Sequence, residues 1–410
     1  MLKSVAAFGA LLLATFLMMV GAGLASALVP LRAAAEGWSS GSIAWIGTVY
    51  ALAFTAGCIL VPILVARVGH IRVFAALQTS LACLLLLLAL APHPLAWMLF
   101  RGACGLGMVG GYMVIESWIN ERTDNTNRGT VFSAYMIVSM VGIASGQFLL
   151  PLGDIAGDRL FMASALAFGL ALMPVMLSVA PAPRPLEQVR IDPRALFRRS
   201  PAAAVGCFVA GVIFGNWGYF GPLYGKAAGL GTAGIATMLT AAMVGGVLFQ
   251  YPFGRLSDRI DRRYVMGIAG AIGVAVSVAM IIAAPRTPIG VVVGTFGFGT
   301  VLFTIYSLSV AHANDQARPG EFVQVSGGLL IVYGVGNMIG PQLGGRLMDR
   351  LGPEGFFVAM AMMYAIYGGY ALWRSTRKAA LPPERRPDFT PVAPMSMRGQ
   401  APAEPAAGGR

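Results

Sequence analysis

Twelve apolar stretches follow one another along this chain, each long enough to cross a bilayer as a helix, with short polar breaks between them. A spanning helix needs about 20 predominantly apolar residues. It must be a helix because lipid offers backbone N–H and C=O groups no partners outside the segment. The stretches fall at about 5–31, 42–66, 73–91, 95–119, 130–152 and 159–180, and then at 201–224, 233–254, 264–284, 289–313, 325–346 and 355–374. They predict an all-α integral membrane protein with 12 transmembrane helices. Composition points the same way, since 57% of the 410 residues are hydrophobic and 11% are charged. Soluble domains run nearer 45–50% apolar and about 25% charged. A soluble globular protein, a disordered chain and a disulfide scaffold are therefore excluded. Loops this short also leave no room for a soluble catalytic domain.

The twelve stretches divide into two sixes. Residues 181–200, with Pro181, Pro183, Pro185 and five arginines, read as a cytoplasmic linker. After Arg374 the chain turns rich in Pro, Ala and Arg and cannot build a packed core, so 375–410 are expected to form a disordered cytoplasmic tail. The sixes match each other at one constant offset. Pro30-Leu31 returns as Pro222-Leu223, Gly37 as Gly229, Ile43 as Ile235 and Arg67 as Arg259, and Gly105-Leu106-Gly107 returns as Gly297-Phe298-Gly299. Matches sharing one offset indicate a duplicated unit, so residues 1–180 and 201–374 are expected to form two six-helix bundles. Lys3, the apolar run behind it and Ala25-Ser26-Ala27 imitate a cleavable signal peptide. The repeat instead makes this segment the first spanning helix.

Orientation follows from the basic residues. With both termini cytoplasmic, six of the 29 Lys and Arg residues fall outside (Arg32, Arg159, Lys226, Arg286, Arg346, Arg350) and Arg101 lies within span 4. All the others fall on inner loops and tails. The net charge of +12 is then a consequence of topology, and no nucleic-acid partner is implied. Trp38, Trp45, Trp97, Trp118 and Trp373 stand near span ends, where an aromatic belt is expected. Cys58, Cys83, Cys104 and Cys207 fall inside spans as small hydrophobes, and His70, His93 and His312 are expected at solvated loop or helix-end positions. No spacing suggests a disulfide, a metal or a cofactor.

Two loops and one helix carry motifs. Gly254-Arg255-Leu256-Ser257-Asp258-Arg259-Ile260-Asp261-Arg262-Arg263 joins spans 8 and 9. Its counterpart between spans 2 and 3 has Pro62 for the first glycine and Ala66 for the acid, while keeping Arg67, Gly69 and Arg72. Span 4 carries Arg101-Gly102-Ala103-Cys104-Gly105-Leu106-Gly107. With six plus six helices and a basic central loop, these strings resemble signatures A and B of the major facilitator superfamily. Glu116-Ser117, Arg128-Gly129, Ala134-Tyr135-Met136 and Gly146-Gln147 resemble its YcaD-like branch of bacterial permeases, which implies no particular substrate. The resemblance covers residues 5 to 374 and implies a solute transporter of the bacterial inner membrane. The antiporter string G-x-x-x-G-P-x-x-G-G is missing from span 5, which offers Gly142, Gly146 and Gln147. It stands in span 11 as Gly336, Gly340, Pro341, Gly344 and Gly345, where close helix packing and a kink explain it.

Charge inside a bilayer is costly and tends to mark function. Arg101 lies about seven residues, ~10 Å, into span 4, and at about 100° per residue it shares a face with Met108 and Tyr112. Facing a central cavity, it would hold an anionic group or modulate a proton site; otherwise it snorkels to the interface. Glu116 is the one acid placed within a span. It is either a protonatable coupling group or a gate residue paired with Arg67, Arg72 or Arg128. Asp258, Arg259 and Arg262, with Arg67 and Arg72 in the other half, form the candidate inner gate. By the family resemblance, the Asp258 carboxylate would face the start of span 5 at Gly129–Val131. Arg101, Tyr112, Asn216, Trp217, Phe298 and Thr304 are the candidate substrate contacts, with Tyr219, Thr300 and Phe303 beside them and Gln147, Gln250, Tyr333 and Asn337 as second choices. Together they describe an aromatic pocket suited to an amphiphilic or weakly anionic molecule.

The expected function is secondary active transport of a small solute by a monomer, with proton coupling and export favoured and uptake by symport or facilitated diffusion as the alternative. No G-x-x-x-x-G-K-[ST] loop provides an ATP-driven engine, and no nucleophile–base pair suggests an enzyme. A transporter-like receptor or a lipid scramblase would need the same twelve helices.

Overall fold

The computed structural model describes residues 8–123, 127–177, 197, 200–316 and 322–377, the side chains of 322–324 excepted. The linker expected at 181–200 lies almost wholly outside the described residues, and so does the tail beyond Arg377. The first half supplies α1 (Gly9–Ala35), α2 (Ser40–Val68), α3 (His70–Leu90), α4 (Pro94–Arg122), α5 (Arg128–Gln147) and α6 (Arg159–Met176). The second supplies α7 (Pro201–Ala227), α8 (Thr232–Arg259), α9 (Arg262–Ala283), α10 (Pro288–Leu302), α11 (Thr304–Asn314), α12 (Phe322–Leu351) and α13 (Gly355–Arg377). Among the described residues, 11 helical stretches are long and apolar enough to cross a membrane. The more polar α12 matches them in length at 30 residues. Large apolar side chains such as Leu90, Leu99, Ile282 and Ile289 point outward, which suits lipid and not water.

Local chemistry sets the helix ends. Pro94, Pro201 and Pro288 open α4, α7 and α10 in the first turn, where a missing N–H costs nothing. The Ser39 hydroxyl caps α2 by accepting from the Ser42 N–H at 3.2 Å, and the Asp261 carboxylate caps α9 from the Arg263 N–H at 2.9 Å. The duplicated Gly37 and Gly229 occupy equivalent turns after α1 and α7, with φ of 74° and 87° that other residues rarely adopt.

Helix contacts repeat as the sequence does. α1 packs on α5 and α6, α2 on α4, α7 on α12, α8 on α10, and α9 on α13, while α2 meets α12 and α1 meets α7 across the halves. Glycine permits the closest approaches. A Cβ at Gly146 of α5 would overlap the Val20 carbonyl oxygen of α1, and one at Gly340 of α12 would overlap the Val212 oxygen of α7. Val20 and Val212 are themselves repeat partners. The same holds for Gly105 against the Tyr50 oxygen and Gly299 against the Ala242 oxygen. Gly336 and Gly344 press on the Phe208 oxygen and the Asn216 side chain, so the Gly336–Gly345 string forms the α7–α12 seam around Pro341.

Several expectations need correction. Span 10 is two helices interrupted at Phe303, where Thr300 and Thr304 hydroxyls donate back to the Gly297 and Thr300 carbonyls. Such back-bonding bends helices. Span 5 ends at Gln147 in regular helix and finishes in a 3-10 turn, Leu150–Leu152. Trp97 and Trp118 do not join an interfacial belt: they are 0% and 1% exposed, and the Trp97 indole N–H donates to the Leu88 carbonyl at 2.9 Å. His70 is buried as well, 3.1 Å from the Ser117 hydroxyl.

The seam makes a direct prediction. Gly340→Ala should cost about 1–3 kcal/mol, the usual range for an overpacked core, and lower the unfolding midpoint of the purified protein. Gly169→Ala, whose Cβ would meet nothing within 4 Å, should leave the midpoint unchanged in the same assay.

Candidate functional site

A cavity of about 330 Å³ lies between the halves, at the lower end of the range for small-molecule sites. α1, α2, α4 and α5 line it on one side, and α7, α8, α12 and Phe303 on the other. Its walls are largely apolar and carry many rings, among them Tyr50, Phe54, Phe214, Trp217, Tyr219 and Phe303. Among the lining residues, Arg101 and Glu116 are the two that carry charge, and both come from α4.

Arg101 is 7% exposed. Its guanidinium carbon sits 4.5 Å from the centre of the Tyr50 ring, and its Nη2 donates to the Tyr219 hydroxyl at 3.4 Å. Gly102 and Gly105 place it there, because α4 closes on α2 until their missing side chains would strike Val49 and the Tyr50 backbone. Arg101 Nε is buried without an acceptor. Glu116 lies about 22 Å further along α4 at 1.5 Å per residue. It is 3% exposed and accepts a hydrogen bond from the Tyr135 hydroxyl at 3.2 Å. Tyr112, between the two charges, donates to the Met19 sulfur at 3.2 Å.

Of the six expected substrate contacts, Arg101, Tyr112 and Trp217 line the cavity. Asn216, Phe298 and Thr304 stand behind it. Asn216, 1% exposed, is turned toward α12 against Gly344, with both amide atoms unpartnered. Phe298 stacks beneath Trp217, centroids 5.4 Å apart and planes at 25°. Thr304 spends its hydroxyl on the Thr300 carbonyl, across the break at Phe303. Gln147, Gln250, Tyr333 and Asn337 do reach the cavity. Sequence reasoning missed Tyr50. Its one available signal was Gly105, whose lack of a side chain admits the Tyr50 backbone.

Among the described residues, four hydrogen bonds with both partners placed cross between the halves. Besides Arg101–Tyr219, Gln147 accepts from Thr240 at 3.2 Å, Thr48 donates to the Met338 carbonyl at 2.8 Å, and Gln342 donates to Thr48 at 3.2 Å. All four lie toward the end of the helices that carries the 36–39 turn.

The opposite end holds the charged loop. Arg262, 1% exposed, lies 2.8 Å from Asp315 and 3.3 Å from Asp258, and donates to the Ser257 hydroxyl at 2.8 Å. Asp315, just past α11, was not among the expected gate residues, although its place at the end of a span beside the basic loop was a legible sign. Arg67, Arg72 and Arg259 are exposed, and Arg128 donates to Asn120 at 2.7 Å. Burial works to raise the Asp261 carboxyl, but hydrogen bonds from Arg263 outweigh it and hold the group below its ordinary value. Arg263 also donates to the Arg374 carbonyl at 2.9 Å, tying α9 to α13.

An all-helical chain with a central cavity between repeated halves defines a polytopic transporter fold, and comparison with known proteins identifies it. The Major Facilitator Superfamily profile matches residues 11–327 and 228–403. The MFS-type transporter YcaD of Salmonella newport (strain SL254) is 24% identical over 361 residues, 87% of this chain and 93% of that protein. Its counterpart in Salmonella paratyphi B is 25% identical over 363 residues, with the same coverage. Among solved structures, a mutant of the nucleoside transporter NupG superposes with a TM-score of 0.78 at 14% identity, covering 90% of this chain and 99% of that one. A bacterial homologue of the human lysosomal transporter Spinster, inward-facing and unoccupied, gives 0.71 at 15%, covering 92% and 98%. This chain belongs to the Major Facilitator Superfamily, and it is an integral membrane protein of the bacterial inner-membrane kind.

The buried ion pair gives the second prediction. Arg262→Met removes the cation that lies 2.8 Å from the buried Asp315 carboxylate and should cost about 3–5 kcal/mol, as when one partner of a buried pair is removed. Arg262→Met combined with Asp315→Leu should recover most of that loss. Thermal unfolding of the purified variants reads both.

Proposed function

We propose that this chain is a secondary active transporter that exports a small organic solute by alternating access of two six-helix bundles, residues 1–180 and 201–374, with both termini cytoplasmic. One observation carries the reading: the cavity takes its walls from both halves, and side chains of the two halves meet in hydrogen bonds beside it. A site lined by two units opens to either side when the units rock about it. The basic-residue distribution supports a periplasmic position for the bonded end. The aromatic, Met-containing wall supports export of an apolar-bodied molecule over uptake of a polar nutrient.

Glu116 is the proton carrier in this scheme. It lies in the cavity wall, 3% exposed, beside the Tyr135 hydroxyl. A carboxyl in such a place exchanges its proton when the cavity changes sides. Arg67, Arg72, Asp258, Arg259 and Arg262 form the cytoplasmic gate. Ala66 leaves the first-half loop without the acid that its repeat partner Asp258 provides, so the gate closes asymmetrically.

The test begins with a thermal-stability screen of the purified protein against metabolites and amphiphiles. A ligand at 100 times its dissociation constant adds about 2.7 kcal/mol. A hit is then followed in proteoliposomes. Glu116→Gln should reduce pH-gradient-driven flux to the gradient-free level while leaving solute exchange intact. A variant that keeps wild-type pH dependence removes Glu116 as the carrier, and absence of flux for every bound solute removes the transport reading.

A further inference from the structure

We infer that the cavity is built for an amphiphilic monoanion, with one carboxylate or comparable acid group at Arg101 and an apolar, ring-bearing body along Phe214 and Trp217. The inference deepens the transport reading and borrows from it only the idea that the cavity binds a solute; its chemistry rests on Arg101. A bare guanidinium is costly away from water, and its usual remedy is a paired acid. Among the described residues no carboxylate lies within 4.0 Å of Arg101, and the oxygen it reaches is the neutral Tyr219 hydroxyl. The Tyr50 ring face offers some compensation as a cation–π contact. It offers no hydrogen-bond acceptor to Nε, which is buried without one. The missing partner of this buried cation is an anion that arrives from solution.

Tyr219 sharpens the match. Its hydroxyl accepts from Arg101, so its own proton is free to donate, and the two groups together form a forked donor set for a single acid group. One member belongs to α4 and the other to α7. An anion seated there bridges the two halves at a contact that must part for the cavity to open at that end.

The rest of the cavity fixes the remainder of the molecule. Glu116, the other charged lining residue, lies about 22 Å along the same helix, too far to engage the ammonium of an ordinary amino acid whose carboxylate sits on Arg101. Between them the wall is Met108, Tyr112, Phe214, Trp217 and Phe303, with no cation for a second acid group. A single negative charge with an apolar body satisfies every part of the site. A polyanion, a zwitterion or a cation leaves a charge stranded.

Benzoate, naphthoate and decanoate, each set against its neutral amide and its amine analogue, test this on the purified full-length protein by thermal shift and tryptophan quenching. At least one acid should bind ten-fold or more tightly than its amide, and the amines should bind weakest. Arg101→Gln should abolish the preference for acid over amide, and Arg101→Lys should retain part of it. Tyr219→Phe, which keeps the ring packing, should shrink the preference several-fold and so separates recognition from misfolding. Equal binding of acid and amide by the wild type overturns the inference, as does absence of binding by all three acids at millimolar concentration. Exchange of labelled acid and amide in proteoliposomes separates the two readings. Acid-selective binding without flux leaves the inference standing and removes transport, whereas equal flux of acid and amide does the reverse.

Discussion

Backbone carbonyls resting on glycines hold this molecule together. In lipid, two helices gain little by hiding apolar side chains from each other, because the surrounding chains are equally apolar. What remains is dispersion, which needs close approach. The protein achieves it by letting the Val20, Tyr50, Val212 and Ala242 carbonyls lie where Gly146, Gly105, Gly340 and Gly299 have no side chain. Each carbonyl has a counterpart in the other half. The duplication is therefore preserved in the contacts that set interhelical distance, even where side chains around them have diverged.

Those same contacts position the one cation inside the cavity. Gly105 brings α4 onto α2, and the Tyr50 ring comes beneath the Arg101 guanidinium. The arginine is thus a product of helix spacing as much as of its own chemistry. Its cost is carried by a ring face and a neutral hydroxyl from the other half. Glu116 is handled by the same economy, with the Tyr135 hydroxyl at 3.2 Å.

The succession of apolar helices, their repeat and the presence of a charge at Arg101 were legible because length, hydropathy and charge are one-dimensional properties of a chain. Which face each residue presents was less so. Asn216 and Trp217 are neighbours in sequence, yet one turns toward the α12 seam and the other into the cavity. Phe298 was expected in the pocket and instead backs Trp217 from behind. Trp97 and Trp118 fell at span ends, where the belt pattern and a buried core position look identical in sequence. Tyr50 and Asp315 escaped notice because their partners, Arg101 and Arg262, lie far away along the chain and meet them only after folding.

The interruption at Phe303 turns the tenth span into two segments with different attachments. Its upper segment ends at a ring that touches the cavity and packs edge-on against Phe214, centroids 5.2 Å apart. Its lower segment runs to Asp315, which grips Arg262 at the far end of the molecule. At 1.5 Å per residue about 18 Å separate the ring from the ion pair. A short stiff rod therefore joins the wall of the chamber to a charged clamp at the far end of the molecule, so the position of one ring is tied to a loop that the chamber never touches.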